Sequence, residues 1–352
     1  MDPYYKDESV TIYHGNALNV LRELPERSAY CCVTSPPYWG LRNYGIPDST
    51  WLDGWVGCHG LEPTIELYVA HEVEIFRELR RVLHNEGTLW LNLGDTYICS
   101  NYNRPIRPTG PNGRPSFRSD RRPREDDPHK SAPGLKNKDM AGIPWRVAIA
   151  LQADGWYLRC DIIWHKPNPM PESVRDRPTK SHEYIFLLAK SEQYHYDFYA
   201  IKEPVTGGAH ARGDGLNPKA IKTPNGWDTD KGSHGSFHKD GRGTGNRYKV
   251  KQNESFSAAC CDLVETRNKR SVWTVPTFAN PEAHFATFPP DLIKPCILAG
   301  CPKGKTVIDP FFGSGTTAYV AKELGRKAIG IDLNSDYLEM SKKRIAQEVL
   351  PL

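Results

Sequence analysis

The sequence contains no C-x-x-C pair. Its nine cysteines include the neighbours Cys31, Cys32 and Cys260, Cys261, yet follow no regular disulfide spacing. Reduced thiols in an intracellular protein are therefore expected. Cys58, His59 and His71 lack the ligand spacing of a zinc finger, so no metal is expected. No apolar run approaches the ~18 residues that would suggest a membrane span. The opening, MDPYYKDESV, is polar and acidic rather than a secretory leader. A cytoplasmic protein follows as the expectation. Internal repeats are absent, and so is an excess of one charge: the formal net charge is only +4 over 352 residues. Any electrostatic signal must lie in how charge is distributed.

A length of 352 residues suits two domains or one large α/β domain with insertions, and 38% hydrophobic residues supply a sizeable core. SVTIYHG, AYCCVTS, TLWLNLGD, LRCDIIWHKP and EYIFLLAKS read as strands. NALNVLRELPERS and LYVAHEVEIFRELRRVL read as helices, the second with Val69, Val73, Phe76, Leu79 and Leu83 at helical spacing. PDLIKPCILAGC reads as a further helix. Strands alternating with helices predict an α/β fold with a mainly parallel sheet. Two stretches interrupt the rhythm. Residues 99–140 are rich in Pro, Gly, Asn and charge, and residues 202–258 in Gly, Lys, His and Asn. Neither can bury much surface unaided. The expected layout is 1–98 as one half of the main domain, 99–140 as a basic loop, and 141–201 as further strands. A separate region then spans 202–270, and 271–352 forms the second half.

Near the C-terminus, TVIDPFFGSGTTAYVAKEL runs from strand through a glycine turn into a helix, and AIGIDLN ends the next strand at Asp332. Gly313 and Gly315 can take positive φ and let backbone approach a ligand closely. The helix behind them offers unpaired N–H groups. No lysine follows the second glycine, which excludes a P-loop, and no third glycine completes the dinucleotide fingerprint. Asp332 can accept bonds from two ribose hydroxyls. Asp309 suits a cationic ligand and would repel a pyrophosphate. An adenosine compound that is neutral or cationic fits best.

Near the N-terminus, VTSPPYWG closes a strand with a stiff turn carrying Ser35, Pro36, Pro37 and Tyr38. Together with DPFFGSGTT and GIDLN, this turn resembles the S-adenosylmethionine-dependent amino-methyltransferases of DNA. The order, catalytic motif first and cofactor motif last, is similar to their β class. The resemblance extends to YHGNALNVLRELPERS, GTLWLNLGD, DIIWHKPNPMP and HEYIFLLAKS. It implies a Rossmann-like, circularly permuted methyltransferase sheet, with residues 202–258 in the target-recognition slot. It also implies S-adenosyl-L-methionine as cofactor, double-stranded DNA as substrate and a possible cognate restriction endonuclease.

The chemistry agrees with the resemblance. A base amino group inside a duplex is out of reach, so the nucleotide must be flipped out. Its nitrogen is a poor nucleophile because the lone pair is conjugated into the ring. Ser35 Oγ and the Pro36 carbonyl, aimed by fixed φ, can accept its protons, and Tyr38 can stack on the base. Family members acting on adenine N6 most often carry Asp-Pro-Pro-Tyr, and those acting on cytosine N4 more often Ser-Pro-Pro-Tyr. Ser35 thus favours cytosine N4, with adenine N6 the alternative and a catalytically inactive nucleic-acid-binding protein the alternative of another class. Carbon-5 methylation would need a nucleophilic cysteine after proline, and Cys296 follows Pro295 only inside a helical segment.

The resemblance also implies cofactor contacts for Asp309, Pro310, Phe311, Gly313, Gly315, Thr316 and Asp332. Where relatives have Thr and Lys before the cofactor strand, this chain has Thr287 and Phe288. Thr287 is left to meet the methionine carboxylate, with Phe288 a hydrophobic wall. Asn16 matches a position near the adenine ring that is often Asp, and can equally cap the following helix. The basic residues Arg104, Arg107, Arg114, Arg118, Arg121 and Arg122 suit phosphate tracking. Lys239, Arg242 and Arg247 are candidates for DNA contact within the recognition region.

Overall fold

The computed structural model describes residues 1–40, 47–98, 132–204, 266–277 and 288–346. It divides the chain into two units, Met1–Ile201 with Arg270–Leu352, and Lys202–Lys269. In chain order the elements begin β1 (Tyr5–Lys6), β2 (Val10–His14), α1 (Ala17–Glu23) and β3 (Ala29–Thr34). The antiparallel pair β4 (Ser49–Thr50) and β5 (Val56–Gly57) leads to α2 (Ile65–Val82), β6 (Leu83–Leu93), α3 (Ile143–Ala153), β7 (Tyr157–His165) and β8 (His182–Ala189). In the second unit, β9 (Glu203–Pro204) pairs antiparallel with β10 (Thr266–Arg267). The first unit resumes with β11 (Val272–Thr274), α4 (Pro290–Gly300), β12 (Thr306–Asp309), α5 (Thr316–Glu323), β13 (Lys327–Asp332) and α6 (Ser335–Ala346).

Nine strands of the first unit form one sheet in the order β1-β2-β13-β12-β3-β6-β8-β7-β11. The strands from β2 to β6 in this order run parallel. The late strands β12 and β13 thus sit between β2 and β3, which come from the start of the chain. This is the permuted arrangement, and the fold is α/β. The sheet is less uniformly parallel than the strand and helix rhythm predicts. Strand β8 runs antiparallel to both β6 and β7, because it returns directly beside β7 with no crossover helix.

Both faces of the sheet are covered, which explains the near-continuous apolar strands. Neighbouring residues alternate between two cores. Cys32, Leu89, Leu188 and Ile308 pack on the side of α1, α2 and α3. Cys31, Trp90, Leu187 and Val307 pack on the side of α4, α5 and α6. The six described cysteines are free thiols, and burial holds the Cys31 and Cys32 pKa values well above the usual thiol range. Cys296 is wholly buried in α4, far from a nucleophile's setting.

In α2, Thr64 caps the N-terminus by accepting from the Leu67 amide at 3.1 Å. The buried stripe is Ile65, Tyr68, Ile75, Phe76, Leu79 and Val82, with His71 and Glu72 also inside. Val69 and Val73, placed on that stripe by spacing, lie at its half-buried edge. No helix among the described residues is long and apolar enough to cross a membrane.

Helix α4 docks on the sheet through Gly300. A Cβ there would lie 2.6 Å from Thr88 Oγ1 and Trp90 Nε1, and 2.9 Å from Cys31 Sγ. These are core atoms with little room to yield. Gly300→Ala is expected to destabilise the fold by about 1–3 kcal/mol, read as a lower urea midpoint with unchanged slope. An unchanged midpoint would show that the helix can slide off the sheet at no cost.

Candidate active site

Strands β2, β13, β12, β3 and β6 present their carboxyl ends on one edge. From β12 the chain passes through α5 to β13 on one side. From β3 it passes through α2 to β6 on the other. The order reverses between β12 and β3, the position where open α/β sheets bind ligands. A cavity of about 350 Å³ opens there, lined among others by Asn16, Ser35, Pro36, Pro37, Tyr38, Phe311, Gly313 and Asp332.

The two motifs meet through one buried carboxylate. Asp309 Oδ1 accepts from Thr34 Oγ1 and Oδ2 from Thr317 Oγ1, both at 2.7 Å. Phe311 N donates to Oδ1 at 3.1 Å. Burial pushes the Asp309 pKa up to about 6, although these three donors pull it down. Asp309 is 1% exposed and does not line the cavity. The sequence reading aimed it at a cationic ligand. Its oxygens are instead turned to β3 and α5, so it ties the sheet together beneath the site.

Asp332 at the end of β13 does face the cavity. Its Oδ2 accepts from Gly313 N at 2.7 Å and Oδ1 from Asn334 N at 2.8 Å. Each carboxylate oxygen keeps a further lone pair. Burial raises its pKa, against the pull of those amides. Gly313 takes φ +50° with open space where a side chain would be. Gly315 takes φ +77°, and a Cβ would meet Ser341 Cβ at 2.8 Å, so it shapes the turn without lining the cavity. Pro310, Thr316 and Phe288 line it, and Thr316 Oγ1 accepts from Arg344 at 2.9 Å. Asn16 caps α1, with its Oδ1 accepting from Leu18 and Asn19 and its Nδ2 donating to Ser49 Oγ. It also lines the cavity.

Across the cavity, the Tyr38 ring lies over Gly94, where a Cβ would come within 2.4 Å of Cε2. Its hydroxyl contacts Glu183 Oε2 at 2.9 Å and Asn92 Oδ1 at 3.1 Å, and Ser35 Oγ donates to it at 3.2 Å. With that proton committed to Tyr38, the Ser35 lone pairs remain for an incoming N–H. Lys166 pairs with Glu183 and lies over the Trp164 ring at 4.1 Å. Trp164, Lys166, Glu183 and Asn92 all line the cavity, and sequence reasoning singled out none of them. Their only signal was that they sit in or beside recognisable strands. Trp39 lies in the core, its Nε1 donating to Glu62 O at 2.9 Å. Thr287, Arg104, Arg107, Arg114, Arg118, Arg121, Arg122, Lys239, Arg242 and Arg247 lie outside the described residues.

Behind the proline turn sits a buried ionic cluster. His59 Nδ1 contacts Glu62 Oε1 at 2.8 Å and His59 Nε2 contacts Glu72 Oε1 at 3.0 Å. His71 Nδ1 contacts the same Glu62 oxygen at 3.0 Å and its Nε2 contacts Asp53 Oδ2 at 3.3 Å. Burial alone would push His59 down, but Glu62 and Glu72 hold it protonated, up to about 10. Burial would likewise raise Glu62, but the His59 charge brings it down to about 2. His59, Glu62 and His71 also offer three donor atoms within 4.8 Å of one another. Hydrogen bonds among the members account for that closeness.

The family model described as DNA methylase matches residues 29–343. Type II methyltransferase M.XycI of Xanthomonas campestris pv. cyanopsidis is 42% identical over 337 residues, 95% of this chain and 87% of that protein. M.Cfr9I of Citrobacter freundii is 42% identical over 340 residues, 96% of this chain and 88% of that protein. Among solved structures, PvuII DNA methyltransferase (cytosine-N4-specific) shares the fold with a TM-score of 0.58 at 16% identity, covering 99% of this chain and 91% of that one. A Thermus thermophilus protein assigned as a DNA modification methylase, complexed with S-adenosyl-L-methionine, aligns with a TM-score of 0.52 at 20% identity, covering 97% and 95%.

The ionic cluster makes stability pH-dependent in a defined window. His59 is raised from 6.5 to about 10, so its contribution is complete below pH 6.5 and is lost as pH rises through 10. Glu62 is lowered from 4.5 to about 2, so its contribution is complete above pH 4.5 and is lost as pH falls through 2. The difference in unfolding free energy between wild type and His59→Gln should therefore be largest near pH 6 and shrink by pH 10. Urea titrations at several pH values measure it. A difference constant with pH would mean that His59 is neutral in the fold.

Proposed function

The chain belongs to the N6/N4 DNA methylase family as a type II DNA methyltransferase that uses S-adenosylmethionine, and we propose that it methylates the exocyclic N4 of cytosine in a flipped-out nucleotide. One observation carries this reading. Ser35 and Tyr38, at the end of β3, face the same cavity as Gly313 and Asp332, at the ends of β12 and β13. A base-side wall and a nucleoside-side wall therefore share one space.

The residues present fit the cofactor. Asp332 offers lone pairs to ribose hydroxyls, Gly313 permits close approach, and Phe311, Phe288 and Pro310 supply apolar cover. The bound sulfonium supplies the methyl group. On the base side, Ser35 Oγ and the Pro36 carbonyl accept the amino protons and draw the nitrogen out of conjugation. Tyr38, held at its hydroxyl and braced on Gly94, offers a ring face for stacking. Trp164, Lys166, Glu183 and Asn92 would then surround the base edge, Lys166 as donor to its ring acceptors. Most of the rate would come from positioning and preorganised polarity.

The choice of cytosine over adenine N6 rests on the Ser-Pro-Pro-Tyr form of the turn. The PvuII enzyme, described as cytosine-N4-specific, shares this fold. Double-stranded DNA is the substrate class, with the basic residues 104–122 and 239–247 as its proposed contacts. A restriction endonuclease of matching site is the proposed partner, given that the relatives are type II enzymes.

Expression in a host lacking DNA methylation, followed by nucleoside mass spectrometry, tests the base. N4-methylcytosine is expected, and N6-methyladenine would replace the cytosine reading. Ser35→Ala should lower turnover by about 100-fold with little change in cofactor affinity. Asp332→Ala should instead weaken S-adenosylmethionine binding by about 10- to 100-fold, read by calorimetry. Unchanged binding would remove the ribose assignment.

A further inference from the structure

The proline turn is stiff within itself, but stiffness does not fix where it points. Beside the contacts of the Tyr38 hydroxyl, three contacts from residues 60–68 help to do so. Tyr68 of α2 donates its hydroxyl proton to the Pro37 carbonyl at 3.0 Å. Glu62 O accepts from Trp39 Nε1 at 2.9 Å, and Gly60 O accepts from Gly40 N at 2.6 Å. Gly60 takes φ +90°, and a Cβ there would lie 3.0 Å from Pro37 Cβ. Only glycine lets this segment lie so close against the turn.

The segment is itself clamped. The Glu62 carboxylate reaches back to Gly60 N at 2.8 Å, while its other oxygen takes both imidazoles. The Tyr68 ring stacks on His59 with centroids 5.3 Å apart. Tyr68, Glu62 and Glu72 are fully buried, and neither Tyr68 nor Glu62 lines the cavity. A buried ionic group is a costly way to fill a core. Its placement against the turn gives that cost a purpose.

We infer that Tyr68 and Glu62 are positioning residues for the Ser35–Tyr38 turn, holding its acceptors on the target amino group without touching substrate or cofactor. This rests on the methyltransferase reading of that turn. Trp39, whose ring is buried away from the cavity, becomes the turn's anchor in this scheme.

The test uses the full chain and two variants, Tyr68→Phe and Glu62→Gln. Labelled S-adenosylmethionine and duplex DNA report total methyl transfer, whichever base receives it. For Tyr68→Phe, kcat should fall by about tenfold or more, while cofactor affinity and KM for DNA change by less than about threefold. Hydrogen exchange of a peptide covering residues 33–40 should quicken in both variants, most clearly at Gly40. This second readout needs no turnover, so it decides the matter even if the DNA reading fails. An unchanged kcat with unchanged exchange overturns the inference. So does a parallel loss of kcat, cofactor affinity and melting temperature in Tyr68→Phe, which marks a purely structural role. One zinc per chain in the purified protein would also overturn it, since a metal would then hold Glu62.

Discussion

The buried carboxylate of Asp309 sets the geometry on which the rest depends. It accepts from Thr34, the residue before Ser35, and from Thr317, at the start of the helix that follows the glycine turn. Thr34 and Asp309 are 275 positions apart in the chain. Through them, two motifs with no sequence proximity acquire a fixed separation. A methyl donor and a methyl acceptor must be in line and nearly in contact, and small errors are costly. A short hydrogen-bonded carboxylate between adjacent parallel strands is a rigid way to supply that spacing.

The site has three layers. The outer layer is the cavity wall, with Asp332 and Gly313 on one side and Ser35, Tyr38 and the Lys166 and Glu183 pair on the other. Beneath it lie the groups that bind wall to scaffold: Asp309 below the cofactor side, and the Tyr68 and Glu62 contacts below the proline turn. Below these is the sheet itself, with its two apolar cores. The middle layer is polar and buried, where unpaired groups are expensive, and nearly every oxygen described there has a partner. Glu72 Oε2 is an exception.

Much of this was legible in the sequence, and the limits are physical. Ser35, Tyr38, Gly313 and Asp332 could be found because strand ends, prolines and glycines write their constraints locally. The contacts of Asp309 could not be read, because a strand end says where a carboxylate sits and not which way it turns. Asn16 carried two readings, helix cap and neighbour of the adenine ring; the structure shows the cap and puts the residue on the cavity wall. Lys166, Glu183 and Asn92 were invisible because they reach the cavity only through the order β6-β8-β7, a long-range fact. The ionic cluster left a trace: His71 and Glu72 interrupt the apolar stripe of α2, which a solvent-facing helix would not bury. The Arg-rich stretch and the basic residues between 202 and 258 belong to the part of the chain that is read from composition alone.

The permuted sheet order has a consequence in time as well as in space. Strands β2 and β3 belong to the start of the chain, and the strands that separate them come near its end. During synthesis both emerge with the edges that β13 and β12 will cover still bare. At about 5–20 residues per second, the wait runs to tens of seconds. Exposed edges of this kind invite pairing with other chains, and closing such long loops slows folding. The enzyme's centre is thus the last part of its sheet to be built, and a ribosome that stalls late leaves the Ser35–Tyr38 turn on its strand with no glycine turn or Asp332 to face it.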